Sequence, residues 1–457
     1  MITWGRISPA ILAWAAIGVF ALLLGGYGLS EPTVQGILAS AGLAHSVAGF
    51  WSDGRQRISA PSIYFFASGL FIFFPGIYLA GHDPTIFGFG EASLVPVLAF
   101  CYFSQLLMHY LFWSPRKAAV VAVESATNRS VARWGIWMGL LLVSLGVGLS
   151  ITGRGENPLV NAASYSGVAL VAVASLRGEK RVSLFGYALI GAAFLAYMQF
   201  LFTGFGRLGL GSLALCIAMA GAHRWRGHFV KGAILIGITP ALLYFARSRV
   251  EFTATLNPAQ SDNVNGLESV LSPLVRFAQL LEMVQAGDVQ LTYFKSFYAT
   301  AVIFVPRRFW PEKPVGLGAE LAQLFRPELQ GTGHSELALF HGEWLLALGI
   351  AGLVVMVPAV ALLVRWMDSV LIRSASIPML SHTDLLKIVA IIIASASIVD
   401  LVWGGTFTYI ARVAARLLIL VVLYALVWHH DKDMKSGPAP PERDLSTRGQ
   451  PVRRASG

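Results

Sequence analysis

The 457-residue chain is 56% hydrophobic and only 13% charged, with a mean hydropathy of +0.65. Soluble domains carry about a quarter charged residues, so this composition belongs to an integral membrane protein and soluble-domain length arithmetic does not apply. The formal charge of +10 is not that of a nucleic-acid binder, because the basic residues fall in short clusters between apolar runs, as in the inner loops of membrane proteins. Cys101 and Cys216 each lie inside an apolar run, which excludes a disulfide framework and a cysteine-based metal site.

A membrane crossing needs about 20 apolar residues. The first run, 8–30, follows Arg6. Its apolar core, Ile11 to Leu29, is longer than a usual signal core, and the cleavage-like triplet Ala39-Ser40-Ala41 lies ten residues beyond it, so it reads as an uncleaved span. Further runs fall at 34–51, 59–80, 92–114, 134–152, 157–176, 182–202, 206–222, 229–247, 338–364, 385–405 and 407–428, of which 34–51 and 206–222 are short or glycine-rich. Together they predict an all-α polytopic membrane protein of about twelve transmembrane helices with both termini cytoplasmic. The charges test that count. With this topology the short inside segments hold Arg6, Arg55, Arg57, Arg116, Lys117, Arg129, Arg133, Arg177, Lys180, Arg181, Arg224, Arg226, Arg365 and Arg373, and the short outside ones only Arg154 and Arg207. Fourteen against two is a positive-inside pattern. Omitting 34–51 reverses the sidedness of everything before it and spoils the pattern.

The predicted organisation is therefore nine spans in 1–247, a large external loop at 248–336, three spans in 337–428, and a polar tail, 429–457, that reads as disordered. His429-His430-Asp431 in that tail reads as an interface flank rather than a ligand set. The external loop is no flexible linker. Leu267, Val270, Leu271, Leu274, Val275, Ala278 and Leu281 keep helical spacing, and Pro273 is compatible with an early turn. A second apolar stretch, Leu291 to Val305, ends at Pro306, whose fixed φ and missing N–H stop it. Two or three helices are expected here, docked on the membrane domain or lying at its interface.

Directly after them comes FVPRRFWPEKPVGLG, Phe304 to Gly318. Pro306, Pro311 and Pro314 restrict φ and bias the preceding residues towards extended geometry. Arg307, Arg308 and Lys313 are thus presented on a preordered segment beside Phe309 and Trp310. Arginine offers a planar fork for phosphate and lysine a mobile point charge. Two readings of these residues stand side by side: a site for a ligand carrying phosphate, sugar and lipid, or a cationic aromatic anchor at the membrane interface. An outside location weakens anchoring for the cations, since anionic lipid attracts them mainly on the cytoplasmic side.

The string Val305-Pro306-Arg307-Arg308-Phe309-Trp310-Pro311-Glu312-Lys313-Pro314 resembles the "PR-x-x-W-P-x-K-P" element of bacterial oligosaccharide repeat-unit polymerases, the O-antigen polymerase family. Gly342-Glu343 with Gly349 and Gly352 resembles that family's "E-x5-G-x2-G" element, and Thr203-Gly204-Phe205-Gly206-Arg207 its "GR" turn at an outer helix end. The resemblance covers roughly 266–352, and more weakly 203–222. It implies a membrane glycosyltransferase of the GT-C type in the bacterial inner membrane. Such an enzyme transfers a nascent chain from undecaprenyl diphosphate to a hydroxyl of the next carrier-linked repeat unit, and the carrier diphosphate leaves. The implied partners are the undecaprenyl-diphosphate-linked oligosaccharide, membrane lipid, and a flippase and chain-length regulator of the same pathway, with no nucleic acid. No cofactor or metal is implied. The Asp-x-Asp pair Asp431-Lys432-Asp433 lies on the tail, away from the external face, and preorganised arginines can stabilise a diphosphate leaving group.

The remaining polar residues divide as follows. Arg207 beside Gly204 and Gly206 is a ligand contact or a snorkelling arginine. Arg276 is expected opposite the apolar stripe of its loop helix, as a ligand contact or a solvated residue. Asp400, Arg412 and Arg416 lie in or near the last two spans, where charges are costly and mark cavities or ion pairs. Arg412 and Arg416 share a face, a short turn brings Asp400 near, and Arg416 is the candidate phosphate contact. For the base that activates the sugar hydroxyl, the candidates are Glu343, His341 and His334. His341 and Glu343, two residues apart, do not share a helical face; capping is the modest alternative for Glu343. His82 and Asp83 read as plain loop residues. An O-antigen ligase and a transporter of a lipid-linked glycan are the rival functions, although the long external loop and the absence of a repeat between the halves argue against a transporter.

Overall fold

The computed structural model describes residues 9–82, 90, 92–112, 128–154, 157–178, 183–201, 207–222, 227–256, 267–305, 308–327, 335–375 and 381–435. Among these there is no strand; helix follows helix. The first part comprises α1 (Pro9–Gly26), α2 (Glu31–Ser52), α3 (Ala60–Ser68), α4 (Phe74–Ala80), α5 (Val95–Phe112), α6 (Arg129–Leu149), α7 (Pro158–Gly178), α8 (Leu184–Phe200), α9 (Arg207–Gly221) and α10 (Gly227–Leu256). The predicted loop contributes α11 (Glu268–Ala286), α12 (Lys295–Ala301) and α13 (Leu317–Phe325), and the last part α14 (Leu339–Leu348), α15 (Ile350–Ala375), α16 (His382–Ala396) and α17 (Ile398–Lys435).

Among the described residues, six helices are long and apolar enough to cross a membrane: Ala60–Ala80, Val95–Phe112, Arg129–Gly153, Pro158–Arg177, Ile350–Ser374 and Ile398–Trp428. Four shorter apolar helices accompany them, Ala10–Gly26, Leu184–Phe200, Leu208–Gly221 and Gly227–Ile238. The predicted spans 34–51 and 385–405 are helical too, but α2 and α16 are not among these ten. Large apolar side chains such as Phe20, Leu141, Leu184, Ile236, Val354 and Val421 are exposed, as on helices that face lipid.

Local chemistry sets the helix ends. Ser59 starts α3 by accepting from the Ser62 backbone N–H at 3.1 Å, while Ser62 Oγ accepts from Ser59 N–H at 2.9 Å, a reciprocal capping box. Asn128, Ser183 and Ser381 cap α6, α8 and α16 in the simpler way. Between α3 and α4 the ladder widens into a π turn at Gly69–Phe73, just before Pro75. Proline has no N–H to give and clashes with the carbonyl four residues back, and the wider turn makes room for it.

Small residues close the helix pairs. Against α7, a Cβ on Gly139 of α6 would lie 2.6 Å from the Gly167 carbonyl, and one on Gly167 would lie 2.6 Å from the Gly139 carbonyl. Only glycine permits that approach, which is how membrane helices gain packing without a hydrophobic drive. Elsewhere buried charges tie distant segments together. Lys231 of α10, fully buried, donates to the carbonyls of Trp51, Asp53 and Arg55 at 3.1, 2.6 and 3.1 Å, and Arg57 pairs with Asp368 of α15 at 3.1 Å.

The predicted loop is docked, as expected of its apolar stripe. α11 buries Leu271, Leu274, Val275, Phe277, Ala278 and Leu280 against α5, α14 and the π turn. Gln279 Nε2 donates to the Gly90 carbonyl at 3.0 Å, and Glu282 accepts from Ser93 N–H at 2.9 Å. The helix closes with Gly287 at φ +80°, a left-handed cap natural to glycine.

Four boundaries differ from the sequence expectation, the first at α10, which runs to Leu256, nine residues into the predicted loop. The run 338–364 is two helices, split at Gly349 with φ +65° and ψ −150°. The break expected between the runs 385–405 and 407–428 falls at Gly405, φ +79° and ψ −175°, and a further break at Ser397 divides the first of those runs. α17 also continues to Lys435, seven residues into the predicted tail, because an established helix propagates at little cost.

Candidate functional site

The loop meets the interrupted helix α17 at two points, the start of α11 and the residues just after the cationic motif. At the start of α11, the Ser269 carbonyl accepts a hydrogen bond from Trp403 Nε1 at 2.9 Å. After the cationic motif, Gly316 lies against Phe407, and a Cβ there would sit 2.6 Å from the ring's Cγ. Trp403 and Phe407 flank the Gly405 break, so the loop is fastened where α17 is interrupted.

Arg276 departs from the sequence expectation. It is 4% exposed, not on a solvated face, because Phe325 and Glu336 lie against its guanidinium. Its Nε meets Glu336 Oε2 at 3.2 Å, its Nη1 donates to Gln279 Oε1 at 2.8 Å, and its guanidinium stacks on Phe325 at 4.7 Å. Arg326 approaches the other Glu336 oxygen at 3.7 Å. Within this set Arg276 is a strut of the loop.

In the motif itself, Pro306 and Arg307 lie outside the described residues, as does His334. Arg308 is exposed, its guanidinium 4.5 Å from the Phe309 ring, and Phe309 is exposed too. Trp310 meets Tyr298 of α12 edge-on at 6.1 Å. Lys313 is turned inward: its Nζ donates to the carbonyls of Ile303 and Val305 at 3.1 and 2.9 Å, pinning the segment into a compact loop. Arg207 begins α9; its side chain lies outside the described residues.

Glu343 and His341 point different ways, as their two-residue spacing requires. Leu339, at φ +56°, gives α14 the irregular start. His341, 1% exposed, packs among Phe100, Phe277 and Phe340, with Cys101 Sγ 3.8 Å from its Nε2. Glu343, also 1% exposed, accepts from Ser296 Oγ of α12 at 2.6 Å and from the Thr406 backbone N–H at 2.5 Å. It caps a helix other than its own. The glycines of the same element have backbone duties: Gly349 makes the break after α14, and any Cβ on Gly352 would collide with the Trp344 carbonyl.

On the other side of the break, Asp400 and Arg412 pair at 2.5 Å, and Arg416 Nη1 stands 3.9 Å from the second Asp400 oxygen. Arg416 donates to Ser397 Oγ at 2.9 Å and stacks 3.7 Å over the Tyr165 ring, whose hydroxyl meets Ser212 at 3.1 Å. Gly209 of α9 leaves room for it: a Cβ there would be 3.7 Å from Arg416 Nη2. Asp400 is fully buried, Arg416 is 5% exposed and Arg412 29% exposed, so the cluster opens towards Arg412. Two guanidinium groups against one carboxylate leave an excess of positive charge in a low-dielectric setting, which suits an anionic group.

Sequence reasoning finds Asp400, Arg412 and Arg416 from their placement in apolar runs, but misses Ser296, Tyr165, Ser212 and Thr406, whose types carry no local signal. The pair Gly404-Gly405 inside an apolar run is the clue to the interruption. Also missed is a buried chain in which His45 Nε2 meets His109 Nδ1 at 2.9 Å and Gln105 Nε2 meets His45 Nδ1 at 2.7 Å. His82 stacks on Tyr78 at 4.3 Å; Asp83 lies outside the described residues. Two cavities stand away from α17: an apolar groove of about 820 Å³ along α2, lined by Leu43, Val47, Trp51 and Ile77, and one of about 600 Å³ between Glu31, His82 and Glu282. Among the described residues no group of three or more His, Cys, Asp or Glu is placed to hold a metal. Compared with models of protein families, with curated proteins and with solved structures, the chain finds no match.

Proposed function

We propose that this membrane protein is a polymerase of lipid-linked oligosaccharide repeat units, transferring the nascent chain from undecaprenyl diphosphate to the next repeat unit at the outer face of a bacterial inner membrane. The observation that carries this reading is the cationic cluster on α17, where Arg412 and Arg416 outnumber Asp400 beside the break that the loop meets at the start of α11 and just after the cationic motif. A diphosphate leaving group needs positive charge where negative charge develops, and guanidinium forks fixed by packing supply it without reorganisation. In this reading Arg412 and Arg416 take the diphosphate, and the motif around Arg307, Arg308 and Trp310 takes the adjoining sugar and lipid. His341 and Glu343 are enclosed, which leaves His334 as the base among the three candidates. Twelve spans with both termini cytoplasmic belong to the same proposal, supported by the fourteen-to-two charge bias of the short loops.

One observation favours a lipid-linked glycan transporter instead: α17 is discontinuous, and interrupted helices near charged residues build transporter sites. Analysis of carrier-linked glycans in cells lacking the protein separates the readings. Loss of a polymerase leaves single repeat units on the carrier and on any final acceptor. Long chains left on the carrier mean a ligase, and repeat units stranded on the inner face mean an exporter; either result ends the polymerase reading. Within it, Arg416→Lys retains charge but loses the fork and the stacking on Tyr165, and chains are expected to shorten at matched protein level.

A further inference from the structure

We infer that Glu343 is a positioning residue, a side-chain latch that holds the interrupted helix α17 to the external loop and takes no part in proton transfer. Three pieces of chain far apart in sequence meet at this side chain. Oε1 accepts from Ser296 Oγ on α12, the helix leading into the cationic motif, at 2.6 Å. Oε2 accepts at 2.5 Å from Thr406 N–H. Thr406 is the first residue after Gly405, whose φ of +79° and ψ of −175° end the helical ladder. The backbone N–H groups after such a break have lost their partners, and a buried orphan donor is costly. Glu343 supplies the missing acceptor from another helix. A Cβ on Gly405 would stand 2.8 Å from Glu343 Oε2, so the glycine both makes the break and admits the carboxylate.

The latch has a geometric consequence. Thr406 adjoins Phe407, on which Gly316 rests just after the motif, and Arg412 and Arg416 follow further along α17. Holding Thr406 therefore sets the loop and the arginine-bearing part of α17 in one register. A base would need a route to a sugar hydroxyl, whereas Glu343 is 1% exposed with a hydrogen bond on each oxygen.

Substitution by glutamine separates the roles. Its Oε1 accepts from Thr406 N–H and its Nε2 donates to Ser296 Oγ, so both bonds survive while the ability to take up a proton is lost. Alanine removes both bonds, and Ser296→Ala removes one. Two readouts apply to the full-length protein. The first is disulfide crosslinking of Gly316→Cys with Phe407→Cys by copper–phenanthroline in membranes, in a Cys101→Ala/Cys216→Ala background; removing the phenyl ring frees the space that a Cβ at 316 needs. The crosslink is expected with Glu343 and with Glu343→Gln. It falls about tenfold or more with Glu343→Ala, and in the same direction with Ser296→Ala, as leaving a buried backbone donor without its acceptor predicts. The second readout is polymer length, which rests on the proposed function; Glu343→Gln is expected to keep it and Glu343→Ala to shorten it. Absence of the crosslink with Glu343 intact, its full retention in Glu343→Ala, or chains in Glu343→Gln as short as in Glu343→Ala would each overturn the latch. Because crosslinking needs no activity, a failure of the polymerase reading leaves that arm decisive.

Discussion

Asp400 is fully buried, and its neutralisation comes from Arg412 at 2.5 Å with Arg416 further off. Asp400→Asn removes the carboxylate and leaves two guanidinium groups facing each other in a low dielectric. Breaking a buried pair in this way costs about 3–5 kcal/mol, so a lower melting temperature in detergent is expected. The double variant Asp400→Asn/Arg412→Gln removes one cation as well and is expected to recover most of the loss; no recovery would show that the pair is not the source. The residues of the motif teach a related lesson. Lys313 reads in the sequence as a free point charge, yet its ammonium is spent on the carbonyls of Ile303 and Val305. Arg308 is the described motif cation that keeps its charge outward.

At the scale of elements, close approach is bought by glycine. The α6–α7 pair rests on Gly139 and Gly167, each within 2.6 Å of the other's carbonyl once a Cβ is added. Gly139→Leu is expected to force the helices apart and cost about 1–3 kcal/mol, the usual range for overpacking, seen as lower folded yield and melting temperature. Gly148, on the same helix with nothing within 4 Å of its added Cβ, provides the control: Gly148→Ala is expected to be neutral or mildly stabilising, since alanine is the better helix former. The apolar stripe of α11 is legible from spacing alone, because helical period and burial coincide there. The break at Gly405 falls between the last two predicted spans, but those at Gly349 and Ser397 are not legible, because an apolar run does not reveal where its ladder is cut.

At the scale of the molecule, the proposed topology places the loop outside and the C-terminal end inside. A reporter that folds only in the periplasm is expected to be active when fused after Gln330 and inactive after Gly437. Activity of the second fusion alone would invert the arrangement, move the cationic motif to the cytoplasmic side and end the proposed polymerase reading, which needs that motif at the outer face. The arrangement of helices agrees with a membrane protein through a simple constraint: hydrocarbon offers the backbone no hydrogen bonds, so each apolar stretch satisfies its own.

The sequence by itself determined the class of the protein, the helical identity of its apolar runs, the presence of a structured insertion and the proximity of Asp400 to Arg412 and Arg416. These depend on composition, on a period of 3.6 or on neighbours along the chain, and local patterns record them. Only the tertiary structure decided the partners of the buried polar groups: Glu336 lies 60 residues from Arg276, Thr406 lies 63 from Glu343 and Asp368 lies 311 from Arg57. A polar side chain removed from water must find a partner wherever packing brings one. Which partner it finds is a property of the folded chain rather than of the residues beside it.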